Sequence, residues 1–212
     1  RGPVVLIDEA HRNTHTARGL YGPLARLLAA AGCRTGRNRQ GFLPATLETA
    51  AALIIANPRS TPTPGEMEAV RQWVHEGGGL LLVADDPSAI EAARVLARPF
   101  GLDLDPTALA PSSPPPTFVH PIRAGREEVD ESALRLVLSP GLAVIARAPA
   151  AREIIPSRAA AIDSAKGRVV LLTDAGALTA RLIDGKPQGI NTPNSDNAQL
   201  AVNILLWLSH RL

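Results

Sequence analysis

Val4-Val5-Leu6-Ile7-Asp8-Glu9-Ala10-His11 is the stretch whose reading decides the fold, and it runs on through Arg12-Asn13-Thr14-His15. Four apolar residues in a row ending on an acid read as a strand buried on both faces, as in a parallel sheet. Asp8, Glu9, His11, Asn13 and His15 then follow within eight residues. Each can bind a metal, a proton or a sugar hydroxyl.

Asp-Glu-Ala-His after a strand is also the magnesium-binding motif of a helicase family. That chemistry needs a Gly-x-x-x-x-Gly-Lys-Ser/Thr loop whose backbone cradles the phosphates. The chain has two lysines, Lys166 and Lys186, and neither sits in such a loop. The motif without its context argues against nucleotide hydrolysis.

Working outward, 53–57, 80–85 and 168–174 repeat the pattern of an apolar run closed by Asn57, Asp85 and Asp174. Helical periodicity lies between the runs. Residues 17–31 carry Leu20, Leu24, Leu27 and Leu28 on one face before Gly32, a residue suited to a helix C-cap. Residues 64–76 begin with Pro64 and stop at Gly77-Gly78-Gly79; 87–98 begin after Asp86; 197–211 close the chain. A short strand near 33–37 fits between the first two helices. Strand alternating with helix predicts a doubly wound, mostly parallel sheet in a three-layer α/β sandwich of the flavodoxin-like or amidotransferase-like kind. The rhythm breaks over 102–166, which we read as an irregular or β-rich insertion within a single domain spanning 1–212. Residues 105–117 hold five prolines and read as an irregular excursion. Residues 134–147 and 158–163 read as shorter strands, with a hairpin turn at 164–167.

Composition narrows the functional classes. With 45% hydrophobic and only 3% aromatic residues, the core is aliphatic. A net charge of +2 without a basic run does not point to nucleic acid. No apolar run reaches the roughly 18 residues of a membrane helix. The sequence opens at Arg1 without a methionine, which leaves room for a removed signal peptide or anchor. The one cysteine, Cys33, excludes an internal disulfide and reads as structural. His75 and His210 read as solvated surface residues. His120 reads either as a turn residue or as part of a loop that closes over the crevice.

In an open α/β sheet, ligands bind at the carboxyl ends of the parallel strands. If the four strands are parallel, Asp8, His11, Asn13, His15, Asn57, Asp85 and Asp174 share one crevice. Asn191 and Asn194, in the loop before the last helix, join them. Asp86 reads first as a helix cap, and Asp196 or Asn197 as another. Were 11–15 helical, His11 and His15 would share a face. With Asp8 they would then be candidate ligands for a divalent metal. The same three are the candidate catalytic residues for general acid–base work. Asn13, Asn57, Asp85, Asp174, Asn191 and Asn194 are the candidate ligand-binding residues. The turn after 80–85 is where related folds carry a nucleophile. Here it reads Ala84-Asp85-Asp86-Pro87-Ser88, with no Gly-x-Ser-x-Gly or Gly-x-Cys-x-Gly.

Several separated stretches carry a family resemblance: 8–16, 21–28, 53–57, 73–85, His120-Pro121-Ile122, Gly167-Arg168-Val169-Val170, Leu178-Thr179-Ala180, Gly189-Ile190-Asn191 and 203–209. In that order they resemble the DUF4350 domains of bacteria. These domains are similar to class I glutamine amidotransferase-like folds, including the ThuA-like and GIFT domains. The resemblance implies an amidotransferase-like fold and an extracytoplasmic or membrane-associated place, with a cytoplasmic one still open. The family pattern has a His after the aspartate matched by Asp85; here that position is Asp86. The amidotransferase nucleophile is missing, so that activity is not implied.

Two functions follow as expectations. The first is a domain that binds a small polar ligand, carbohydrate being one class, at the carboxyl edge of the sheet. The second is a hydrolase or lyase acting on a glycan-type substrate through Asp8, His11 and His15, with or without a metal.

Overall fold

The computed structural model describes residues 2–110, 120–124, 134–139 and 141–212. In chain order it begins with β1 (Val4–Asp8), α1 (Gly22–Ala30), β2 (Arg34–Asn38), α2 (Pro44–Leu47), β3 (Ala52–Ala56), α3 (Pro64–His75) and β4 (Gly79–Val83). It continues through α4 (Ile90–Ala97), β5 (Leu102–Ala110), α5 (Pro121–Ala124), β6 (Gly141–Ala146), β7 (Arg152–Ile155), β8 (Ala159–Ser164) and β9 (Gly167–Leu172). The last elements are β10 (Ala180–Ile183), β11 (Lys186–Gly189) and α6 (Asn197–Leu208).

Seven strands form one sheet in the order β2-β1-β3-β4-β9-β8-β7. The first five are parallel, and β8 and β7 add an antiparallel edge. The four apolar runs are thus central strands, buried on both faces. Alternation sorts their side chains into two layers. Val5, Ile7, Ile54, Leu81, Val83, Val170 and Leu172 pack with α1 and α6 on one face. Leu6, Leu53, Ile55, Leu80, Leu82, Val169 and Leu171 pack on the other with Val70, Trp73 and Val74 of α3 and Leu96 of α4. The fold is the expected mostly parallel α/β sandwich. Its β2-β1-β3 reversal is a switch point, where connections leave to opposite faces and open a crevice at the strand ends.

Some elements differ from the sequence reading. The first helix starts at Gly22, not near 17, because Gly19 and Tyr21 both donate their N–H to the Thr16 carbonyl and hold a turn there. The region read as irregular includes β5, which pairs with β6 in a two-stranded antiparallel sheet over the α3–α4 face. Residues 111–117 of that reading lie outside the described residues. The strand expected over 134–147 is regular only over β6. The β10–β11 hairpin and β7 have too weak an apolar pattern to stand out; Leu182 and Ile183 of β10 face solvent. Gly78 and Gly79 let the Trp73 ring and Leu208 of α6 sit against bare backbone at the amino end of β4.

α3 opens on a capping box. Thr63 accepts from the Glu66 N–H while the Glu66 carboxylate accepts from the Thr63 N–H. Glu66 therefore has a fixed position, which places its carboxylate at the crevice.

Candidate functional site

Asp8 ends β1 fully buried. Its Oδ1 accepts from Asn38 Nδ2 at the end of β2 (2.9 Å), and its Oδ2 lies 2.8 Å from His11 Nδ1. The other His11 nitrogen, Nε2, lies 3.2 Å from Glu66 Oε1. The His11 ring stacks on Phe42 with centroids 4.2 Å apart. Burial works against charge on His11. The bonds and charges of Asp8 and Glu66 outweigh it and hold the imidazole above its ordinary value. His11 is thus a closed clamp between β1 and α3. Both of its nitrogens are engaged.

Glu9 turns away from this clamp. It accepts from Ala17 N–H and from the Arg37 and Arg39 guanidinium groups, and the Arg37 bond leads the lowering of its carboxyl. Asn13 accepts from His11 N–H and donates to the Ala56 carbonyl, tying the loop after β1 to β3. Arg59 and Ser60 N–H donate to the His11 carbonyl from the loop after β3.

Residues 9–21 form turns and bends, so His11 and His15 do not share a helix face. The metal reading had rested on that face. Among the described residues, no three His, Cys, Asp or Glu side chains are grouped to hold a metal ion.

His15 packs against the Tyr21 ring at a tilt, centroids 4.9 Å apart. Its Nδ1 lies 2.8 Å from Thr14 Oγ1 and 3.5 Å from Asn57 Nδ2. Its Nε2 has no hydrogen-bond partner among the described residues. Burial is the main cause that lowers its pKa, so this imidazole is neutral at pH 7.

Asn57 sits past the end of β3 with φ of 48°, a left-handed conformation that Asn tolerates better than most residues. Its Oδ1 accepts from Asp85 and Asp86 N–H, and its Nδ2 donates to Asp85 Oδ1 at 2.7 Å. Asp85 Oδ2 accepts from Ala175 N–H. This chain of bonds joins the ends of β3, β4 and β9.

Asp174 is buried beside it. It accepts from Ser139 and Ala177 N–H and lies 3.6 Å from Arg158 Nη2. Burial nevertheless holds its carboxyl above the ordinary range. Arg158 is fully buried at the start of β8 and also donates to Thr173 Oγ1, Thr173 O and Ser139 O. Asp86 caps the short turn at Pro87–Ala89 and pairs with Arg59 at 2.7 Å; the Arg59 bond leads the lowering of its carboxyl to about 2.

The outlying residues fall as follows. Asn191 and Asn194 are exposed in the loop before α6. Asp196 occupies the N-cap position of α6 without a side-chain capping bond, and Asn197 accepts from the Val137 N–H and donates to the Val137 carbonyl. His120 packs edge-on to Trp207 near Asp163 and Arg168, at the opposite end of the sheet, so it is no lid over the crevice. Burial takes its pKa to about 4.

Sequence reading missed Glu66, Tyr21, Arg158 and Arg181. Glu66 was signalled only by its capping box, and the lone tyrosine, Tyr21, by nothing periodic.

Three buried side-chain oxygens lack a hydrogen-bond partner among the described residues: Tyr21 hydroxyl, Asn38 Oδ1 and Thr192 Oγ1. Asn38 ends β2, Tyr21 precedes α1, and Thr192 precedes α6. All three lie at the carboxyl edge of the parallel strands.

Comparison with known proteins places this geometry. A family model described as "Domain of unknown function (DUF4350)" matches residues 18–205. A search of curated proteins finds no match. Among solved structures, the "mmIFT52 N-terminal domain" superposes with a TM-score of 0.74 at 14% identity, covering 97% of this chain and 96% of that one. A ThuA-like protein from Parabacteroides merdae gives a TM-score of 0.61 at 12% identity, over 99% and 90% of the two chains. An exo-β-1,4-mannosidase from an Opitutaceae bacterium gives 0.51 at 18% identity, over 82% of this chain but 31% of that one. At these identities the likeness is one of fold.

Proposed function

The chain belongs to the DUF4350 family, and on that premise we propose that it is an amidotransferase-like domain that binds a small polar ligand at the carboxyl edge of its sheet. One observation carries this reading: the three unpartnered buried oxygens all sit at that edge. A buried polar atom left without a partner costs about 1–3 kcal/mol. Three at one end are accounted for if a polar molecule bound there supplies the missing partners. Asp85 stands where related folds carry a nucleophile and is fully engaged with Asn57 and Ala175, so amidotransferase chemistry is not part of the proposal. Carbohydrate is the first ligand class to try, because the same fold occurs as part of a mannosidase chain.

A melting-temperature screen against mono- and disaccharides tests the reading. At a ligand concentration a hundred times Kd, linkage adds about 2.7 kcal/mol. That raises the Tm of a chain this size by several degrees. A flat response across neutral and acidic sugars overturns it.

His15 supports a second reading, hydrolysis or elimination on a glycan. It is neutral at pH 7, and in the tautomer whose Nδ1–H donates to Thr14 Oγ1 the disengaged Nε2 can take a proton, as a general base requires. Asp8 and His11 enter this reading only as scaffold, since each is tied to the other. Under it, His15→Ala abolishes turnover of a bound oligosaccharide while the ligand-induced rise in Tm persists. Binding without turnover in the wild type leaves the first reading alone.

A further inference from the structure

We infer that the ligand of this crevice carries a carboxylate, as a uronic acid does, with Arg181 as its counter-ion and the His15–Tyr21 pair as donors behind it. This rests on the binding reading above and adds the ligand's charge. It follows from which groups at the carboxyl edge have partners and which do not.

The carboxylates there are engaged. Asp85 uses one oxygen on Asn57 Nδ2 and the other on Ala175 N–H. Asp174 uses one on Ala177 N–H and the other on Ser139 N–H, with Arg158 against it. Asp86 is paired with Arg59 and capped onto Ser88. A neutral sugar offers hydroxyl hydrogens as well as oxygens, and sites that hold one need free acceptors. Each carboxylate oxygen of Asp85 and Asp174 already accepts one bond from the protein.

Of the unengaged groups, Asn38 Oδ1 can only accept, whereas Arg181, Tyr21 and His15 can donate. Arg181, on β10, has no ion pair or hydrogen bond among the described residues. It does not point away from the protein. Its Nη2 lies against the bare backbone of Gly176, where a Cβ would stand 3.3 Å from it and 3.1 Å from Asp174 Oδ1. Glycine at 176 is what lets the guanidinium reach the loop after β9. The Tyr21 hydroxyl is buried, unpartnered and kept protonated by burial and by the charges of Asp85 and Asp174. His15 leans on the Tyr21 ring with its Nε2 disengaged, and it senses the Arg181 charge. A guanidinium is always charged and presents a planar fork that fits a carboxylate through two parallel bonds. A hydroxyl and an imidazole N–H behind it complete a set whose members can all donate together, which suits a group that only accepts.

Titration calorimetry of the full chain with D-glucuronate, D-galacturonate, D-glucose and D-galactose tests this. The acids are expected to bind about tenfold tighter than the neutral sugars or better, since charge-assisted bonds are the stronger kind. Arg181→Gln is expected to remove that advantage without lowering Tm, because the side chain is exposed and unpartnered. Arg181→Lys recovers part of it, and Tyr21→Phe weakens acid binding. Equal affinity for acid and neutral sugars, or full acid affinity in Arg181→Gln, overturns the carboxylate assignment and leaves the binding reading standing. No binding of either kind overturns both.

Discussion

His11 and His15 lie four residues apart in one loop, and their surroundings are opposite. His11 has a carboxylate on each nitrogen and an aromatic ring on its face. His15 has its Nδ1 near neutral groups and its Nε2 disengaged, next to a hydroxyl that has no partner among the described residues. One half of the loop is closed on itself and the other half keeps a disengaged ring nitrogen. Residue type does not separate the two. The partners delivered from other elements do: Glu66 reaches His11 from α3, whereas among the described residues no carboxylate bonds to His15. The Asp-Glu-Ala-His stretch therefore fixes the crevice wall more than it furnishes the crevice.

The largest expected effect comes from removing the support beneath the open half. Arg158 is fully buried and donates to three oxygens while facing Asp174. Arg158→Ala leaves a buried carboxylate without its counter-charge and two carbonyls without donors. The expected loss is about 3–5 kcal/mol in urea unfolding. A loss below about 1 kcal/mol would mean that Asp174 is protonated in the wild type and needs no counter-charge. Next comes the clamp. His11→Ala removes the stack on Phe42 and strands Asp8, at an expected cost of about 2–4 kcal/mol. His15→Ala is expected to cost about 1 kcal/mol, since its bonds are weaker and few. Equal losses would dissolve the contrast between the halves.

The strands of this architecture were legible because their signal is local. Val4–Asp8 and Gly79–Val83 are apolar without a break, and periodicity needs only near neighbours. Convergence of Asp8, Asn57, Asp85 and Asp174 followed from topology once the strands were taken as parallel. The closure of His11 was not legible, because Glu66 lies 55 residues away and its role depends on where α3 begins. The Arg158 support was hidden for a similar reason. An arginine at a strand start reads as a surface residue until the partner strand brings Thr173 and Asp174 against it. The reading of 17–21 as helix failed on chemistry that is local but aperiodic, the turn held by the Thr16 carbonyl.

A smaller effect separates the histidines by sign. The folded state raises the pKa of His11, so its contribution to stability is full below the unfolded value of about 6.5 and is lost as pH rises through the folded value. The folded state lowers that of His15, so its contribution is full above about 6.5 and is lost as pH falls through the folded value. Urea unfolding from pH 5 to 9 checks this. The stability gap between wild type and His11→Gln narrows as pH rises, while the gap for His15→Gln narrows as pH falls. Parallel profiles would show that the two rings share one environment.

The smallest effect bears on the open half itself. Tyr21 packs on His15 and is buried, yet its hydroxyl has no partner among the described residues. Replacing a bonded buried hydroxyl costs stability, because its partner is stranded; replacing an unpartnered one removes a desolvation penalty. Tyr21→Phe keeps the ring and its contact with His15. The ligand-free protein is therefore expected to be unchanged or more stable by up to about 1 kcal/mol. A loss of about 1 kcal/mol or more would show that the hydroxyl already bonds something, bound water included, when no ligand is present. That outcome would make this end of the loop as closed as the other.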